Sequence, residues 1–210
     1  MEKLVIVVHH LNDSRSQRIL WLLEELGVPY EIEKYRRDPV TRVAPPELKA
    51  VHPLGKSPVI TDGDRVVAES GAIIDYILRN YGEGRLQADG SEGAFDDYVY
   101  WMHAAEGSAM PALIIRITVA RIDPNAAVLS RLDENVASQL GLLESALSRR
   151  DYLAGSAFTA ADIQMSFVAE FAAARFGLEN YPSIAAWMKR FQARPAYKAA
   201  LARGGPYGFA

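Results

Sequence analysis

The segment PVITDGDRVVAES, residues 58–70, narrows the possible folds more than any other. Val59-Ile60 and Val66-Val67-Ala68 read as two short apolar strands, and the Asp-Gly turn between them suits an antiparallel hairpin. A hairpin this short is marginal by itself, so it requires further strands beside it and helices against its faces. Proline cannot donate to a strand ladder, so Pro58 at the mouth of the first strand needs another reason to be there. Glu69-Ser70 then follows the hairpin directly, placing a carboxylate and a helix-starting serine side by side.

The residues before and after supply those elements. KLVIVVH is a continuous β-branched run, the pattern of a strand covered on both faces. SRSQRILWLLEELG follows, with Ile19, Leu22, Leu23 and Leu26 at helical spacing and Gly27 at the C-terminal cap. Pro29 stops that helix, and YEIEKY alternates like a second strand. PPELKAV gives one or two helical turns with proline at the start. SGAIIDYILRNYG is a helix ended by Gly82. The order β-α-β-α-β-β-α over residues 1–82 is that of a thioredoxin-like domain, a small mixed sheet with helices on its faces.

The polar, glycine-rich GEGRLQADGSEG contains the expected linker, residues 83–90. Residues 91–210 have helical period throughout, so the fold class is α/β followed by all-α. FDDYVYWMHAAEGSAMPALIIRITVAR is long enough for two helices, or one kinked at Pro111. Val128, Leu132, Val136, Leu140 and Leu143 form one stripe of the next helix. In FTAADI, Thr159 and Asp162 fit a capping box, with Phe158 and Ile163 placed as its hydrophobic staple. YPSIAAWMKRFQARPAYKAAL adds a helix, a break at Pro195 and a short last turn.

Composition excludes several chemistries. Half of the 210 residues are hydrophobic, ample for packed cores. The 23 basic residues against 26 acidic ones give no field that favours nucleic acid. No window approaches the roughly 18 apolar residues of a membrane span, and the N-terminal run is too short for a signal peptide. We therefore expect no integral membrane segment and a cytoplasmic protein. The chain has no cysteine, which excludes disulfides, thiolate metal sites and a protein thiol nucleophile. Of the histidines at 9, 10, 52 and 103, the adjacent pair would point to opposite faces of a strand, so no metal site is expected.

Taken together, SRSQRILWLLEELGVPYE, PPELKAVHPLGKSPV, VAESGAIIDYI and AFTAADI resemble the cytosolic glutathione transferases over essentially the whole chain. YRRDPVTRVAPPELKAVHPLGKSP and EGSAMP look most like a subfamily described from fungal membrane-associated enzymes, with bacterial relatives. The resemblance implies a cis bond between Ser57 and Pro58, an isomer that only X-Pro makes cheap. The Ser57 backbone would then hold the cysteinyl part of glutathione like an added strand. Glu69 and Ser70 would take the ammonium and carboxylate of its γ-glutamyl end. Lys56 and His52 would meet the glycyl carboxylate, while Arg36-Arg37 reads as a solvated strand end.

Ser14 stands four residues before Arg18, the interval at which serine-type members of the family place their thiolate-stabilising serine. Arg15 beside it would add positive potential. Ser16 and Asn12 are rivals, and Ser14 would also serve as a cap of the first helix. The tyrosine-type arrangement is absent, because His9-His10-Leu11 occupies its place, and the cysteine-type is excluded by composition. The resemblance further implies an electrophile pocket in the cleft between domains, with Leu11, Tyr100, His103, Met110 and Ile114 as walls. The implied function is detoxifying conjugation of glutathione, the co-substrate, to hydrophobic electrophiles by a homodimer. Alternatives are a glutathione-dependent peroxidase or disulfide reductase without its own cysteine, or a non-catalytic glutathione-binding module.

Overall fold

The computed structural model describes residues 5–88, 90 and 93–209. The start of the KLVIVVH run and the linker residue Asp89 lie outside the described residues. The chain divides into two units, Met1–Gln87 with Phe191–Ala210, and Ala88–Arg190.

In the first unit the elements are β1 (Ile6–Leu11), α1 (Ser16–Leu26), β2 (Tyr30–Tyr35), α2 (Leu48–Val51), β3 (Val59–Asp62), β4 (Arg65–Ala68) and α3 (Ser70–Tyr81). They form one four-stranded sheet of order β2-β1-β3-β4. β1 and β2 are parallel, as a crossover through α1 requires, and the other two pairings are antiparallel. The β-branched run is buried because β1 is central: Ile6 and Val8 lose essentially all contact with solvent. α1 ends where Gly27 takes the left-handed φ of 63° that a side chain would resist.

After the Ala-Arg-Pro junction the chain differs from expectation. α8 spans Pro182–Gln192, and α9 spans Pro195–Gly204, a full ten-residue helix rather than a short last turn. Pro195 starts it at the N-terminal position where a missing N–H costs nothing. α9 also packs in the first unit, so the all-α domain expected over 91–210 gives up residues 191–210. The reason lies on α1. The Trp21 ring meets Tyr197 edge-on at 5.2 Å and Phe191 at 5.4 Å. The Glu25 carboxylate accepts from Trp21 Nε1 at 2.8 Å and from both ends of the Arg194 fork at 2.6 and 2.8 Å.

The second unit contains α4 (Ala94–Ala104), a π-helical turn (Ala105–Ala109), α5 (Met110–Ile122), α6 (Leu129–Leu147), α7 (Ala160–Phe176) and most of α8. The irregularity expected at Pro111 takes the form of that π turn, just before the residue that cannot donate. The α6 stripe buries Val136, Leu140 and Leu143 but leaves Val128 exposed. α7 opens with the capping box of Thr159 and Asp162. Among the described residues, no helix is long and apolar enough to cross a membrane.

Candidate functional site

Sheet register brings three separate segments to one end of the first unit. β3 runs antiparallel to β1 with Val59 opposite His9, so Ser57 and Pro58 lie beside the C-terminal end of β1. β4 runs antiparallel to β3 with Ala68 opposite Val59, which carries Glu69 to the same end. The loop from β1 to α1 leaves there too, delivering Ser14. Ser57 Oγ donates to the His9 carbonyl at 2.9 Å, and Ser14 Oγ makes a long 3.5 Å contact to Ser57 Oγ. The Ser57–Pro58 peptide bond is cis. Strand pairing thus brings Ser57, Pro58, Glu69 and Ser70 to one end of the sheet, and the loop after β1 brings Ser14 there.

Ser14 is 3% exposed and sits in a hydroxyl network. Its Oγ accepts from the Ser16 amide at 3.2 Å, which caps the start of α1, and lies 2.8 Å from Ser16 Oγ. Ser16 Oγ in turn lies 2.8 Å from His10 Nδ1 and 3.3 Å from the Leu11 carbonyl. Burial, helped by Lys34 and opposed by Asp13, lowers the His10 pKa to about 4, so the ring is neutral near pH 7. Ser16 is wholly buried and faces inward. Asn12 is tied to its surroundings, its Oδ1 accepting from the Arg37 amide at 2.8 Å and its Nδ2 donating to Asp13 at 3.0 Å. Arg15 is half-buried at the first position before α1.

Glu69 is exposed and holds φ 74° and ψ 127°, a conformation that costs a non-glycine residue roughly 1–3 kcal/mol. Its carbonyl accepts from the Ile73 amide at 2.9 Å, which locks that backbone into the helix start while the carboxylate stays outside. Ser70 is buried at the first position of α3. Lys56 is exposed, and His52 is half-buried with Nδ1 accepting from the Leu54 amide at 3.4 Å. The structure records no contact that joins either to the Ser14 cluster.

Arg37 departs from the expected solvated strand end. It is half-buried, and its guanidinium donates to the carbonyls of Asn12 at 3.1 Å and Arg42 at 3.0 Å. It therefore clamps the loop that carries Ser14, whereas Arg36 stays exposed. A cavity of about 640 Å³ adjoins this loop, lined among others by Lys34, Arg37, Arg42 and Gly204, and by none of Lys56, Ser57, Glu69 or Ser70.

The residues expected around an electrophile fare unevenly. Leu11 is 2% exposed and Met110 is 1% exposed, so both are core rather than pocket wall. Leu11 ends the central strand and Met110 begins α5, positions where an apolar side chain packs inward. In the second unit His103, Ile114 and Tyr100 are exposed. Tyr100 borders a groove of about 560 Å³ with Trp101 and Leu142, its ring edge-on to Trp101 at 4.9 Å. Among the described residues no cluster of His, Cys, Asp or Glu has the arrangement of a metal site.

His10 was not among the expected site residues. The readable signal was a polar residue in a central strand, on the same alternation as Ile6 and Val8. Its neighbour His9 is occupied structurally, with Tyr35 Oη 3.0 Å from Nδ1 and Thr61 Oγ1 3.4 Å from Nε2.

Comparison with known proteins identifies the family. The family model described as "Glutathione S-transferase, N-terminal domain" matches residues 4–79, and "Glutathione S-transferase, C-terminal domain" matches residues 107–195. "Glutathione S-transferase 3" of Schizosaccharomyces pombe is 37% identical, over 93% of this chain and 86% of that protein. The crystal structure of a glutathione S-transferase from Actinobacillus pleuropneumoniae superposes with TM-score 0.89 at 34% identity, covering 95% of this chain and 93% of its own. A glutathione transferase family member from Pseudomonas fluorescens, solved with two glutathione bound, gives TM-score 0.77 at 27% identity over 94% and 92% of the two chains. With both family models matched in order, the chain belongs to the glutathione S-transferase family.

Proposed function

We propose that the chain binds reduced glutathione at the shared end of β1, β3 and α3 and transfers its thiolate to hydrophobic electrophiles, as a cytosolic homodimeric enzyme of detoxification. The observation that carries this reading is the convergence of Ser14, Ser57-Pro58 and Glu69-Ser70 at one end of the sheet. Ser57 offers its backbone to the cysteinyl segment at the open mouth of β3. Ser70 and the first amides of α3 meet a carboxylate, and Glu69, held exposed by its unusual backbone, accepts from an ammonium. Lys56 and His52, on the loop before Ser57, meet the glycyl carboxylate.

Ser14 supplies the chemistry. A cysteine-like thiol of pKa roughly 8.5 is only about 3% ionised at neutral pH. Lowering that pKa by about two units requires roughly 2.7 kcal/mol of preference for the thiolate. One hydroxyl donating to an anion contributes about 1.5–3 kcal/mol, and a helix N-terminus about 0.3–1 kcal/mol more. Arg15 adds positive potential. The same serine is able to cap α1 by accepting from the Ser16 amide while it donates to sulfur.

The electrophile is received by Tyr100, His103 and Ile114, which have the exposure that Leu11 and Met110 lack. Self-association is supported by the exposed Phe95, Ile115 and Ile122 of α4 and α5. Ser14→Ala tests the proposal. Conjugation should slow roughly 10- to 100-fold, with glutathione affinity changed by less than about threefold. An unchanged rate would refute the role of Ser14.

A further inference from the structure

We infer that His10, acting through Ser16, sets the direction in which Ser14 presents its hydroxyl proton, and is a positioning residue for the thiolate. The inference rests on the reading of Ser14 as the partner of sulfur. It follows from counting protons. His10 Nδ1, Ser16 Oγ and Ser14 Oγ form a buried chain with two successive 2.8 Å contacts. Each hydroxyl has one proton, and a neutral imidazole has one donor and one acceptor nitrogen. Ser16 therefore donates to only one of His10 Nδ1, Ser14 Oγ and the more distant Leu11 carbonyl, and accepts from each close neighbour to which it does not donate.

Two arrangements satisfy both contacts with the Ser16 proton kept within the chain; a third sends that proton to the Leu11 carbonyl at 3.3 Å and leaves Ser14 donating to Ser16. With the proton on Nδ1, His10 donates to Ser16, Ser16 donates to Ser14, and the Ser14 proton is left for sulfur. With Nδ1 bare, Ser16 donates to His10 and Ser14 donates to Ser16, so nothing remains for sulfur. A proton on Nδ1 of a residue two hydrogen bonds away is thus required before Ser14 is free to stabilise a thiolate, and the shorter 2.8 Å contact then directs the Ser16 proton to Ser14 rather than to Leu11. The His10 ring is neutral near pH 7, so the choice concerns tautomer and not charge.

The surroundings are compatible with the productive arrangement. His10 Nε2 lies against Gly204 of α9, close enough that a methyl there would stand 3.4 Å from it. Gln17 borders the same glycine with a buried amide, neither polar atom of which has a partner. Gln17 Oε1 is the amide atom on the Gly204 side, and exchanging the two ends of that unbonded amide puts its NH₂ beside a bare Nε2, which leaves the imidazole proton on Nδ1.

Three substitutions test this. Ser16→Ala breaks the chain and keeps both Ser14 and the amide that bonds it. His10→Leu removes the donor at similar bulk, and His10→Asn returns an N–H donor on the side of Nδ1. The readout is the pKa of glutathione's thiol in the complex, from ultraviolet thiolate absorbance, with affinity measured by calorimetry. Neither needs an electrophile. Ser16→Ala and His10→Leu should raise the bound thiol's pKa by about one unit, a tenfold loss of thiolate preference, with affinity changed by less than about twofold. His10→Asn should recover most of the shift. In a Ser14→Ala background, Ser16→Ala should add nothing, since the chain then ends nowhere. An unchanged thiol pKa in Ser16→Ala overturns the inference, as does an equal shift with and without Ser14. If Ser14→Ala alone leaves the bound thiol's pKa unchanged, the assignment of Ser14 falls and the relay with it.

Discussion

Glu69 is the residue at which backbone strain and the proposed ligand chemistry meet most directly. Its φ of 74° would be relieved by glycine, yet the position carries a carboxylate. In the proposed reading, the cost of roughly 1–3 kcal/mol is offset by presenting the carboxylate to the ammonium of the ligand. Glu69→Gln keeps the shape and removes the charge. It should weaken glutathione binding about tenfold or more, as loss of a charge-assisted bond does, and leave the bound thiol's pKa unchanged; calorimetry with the thiolate titration checks both. At this scale the sequence was informative where chemistry is local. The cis Ser57–Pro58 bond was expected from the family resemblance, while the strand opening at Val59 and the helix starting at Ser70 could be read from local pattern. The orientation of the Ser14 proton could not, since it depends on His10 across the sheet–helix junction. Arg37 was misread for the same cause: its partners are carbonyls of a loop 24 and 25 positions away.

Among the elements, α7 shows how a short motif becomes a tertiary anchor. The pair Thr159 and Asp162 was legible as a capping box, but Asp162 also accepts from the Leu153 amide and from Trp187 Nε1, each at 3.0 Å. Those partners come from outside the helix and leave no trace in the FTAADI pattern. Removing the carboxylate strands several buried donors, so Asp162→Ala should cost the protein about 3 kcal/mol or more in urea unfolding. The acid also carries a pH signature. Burial, outweighing its hydrogen bonds, raises its pKa to about 6, against about 3.9 when unfolded. The folded chain thus holds the extra proton between those values. The stabilisation from this group is full below about pH 4 and is lost as pH rises through about 6. The stability of the parent protein relative to Asp162→Asn should therefore decline from pH 4 to 6.5. A rise over that interval would contradict the assignment.

For the molecule as a whole, strand order and the change to helical period were readable from repeating patterns, which are local averages. The membership of the last helix was not. Tyr197, Arg194 and Arg203 look like any amphipathic helix, and only their partners on α1 and β2 reveal that α9 completes the first unit. Tyr197 is 2% exposed, so Tyr197→Ala should destabilise that unit by about 3–5 kcal/mol, measured as earlier loss of amide protection in α1. α9 also carries Gly204, which borders His10, so the packing that closes the unit reaches the chain behind Ser14. The most direct test of the central claim is an ultraviolet titration of glutathione bound to the parent protein and to Ser14→Ala. The account predicts a bound thiol that is mostly ionised at pH 7 in the parent and mostly protonated in the variant, with glutathione bound by both. No binding by the parent, or the same ionisation in both proteins, would contradict it.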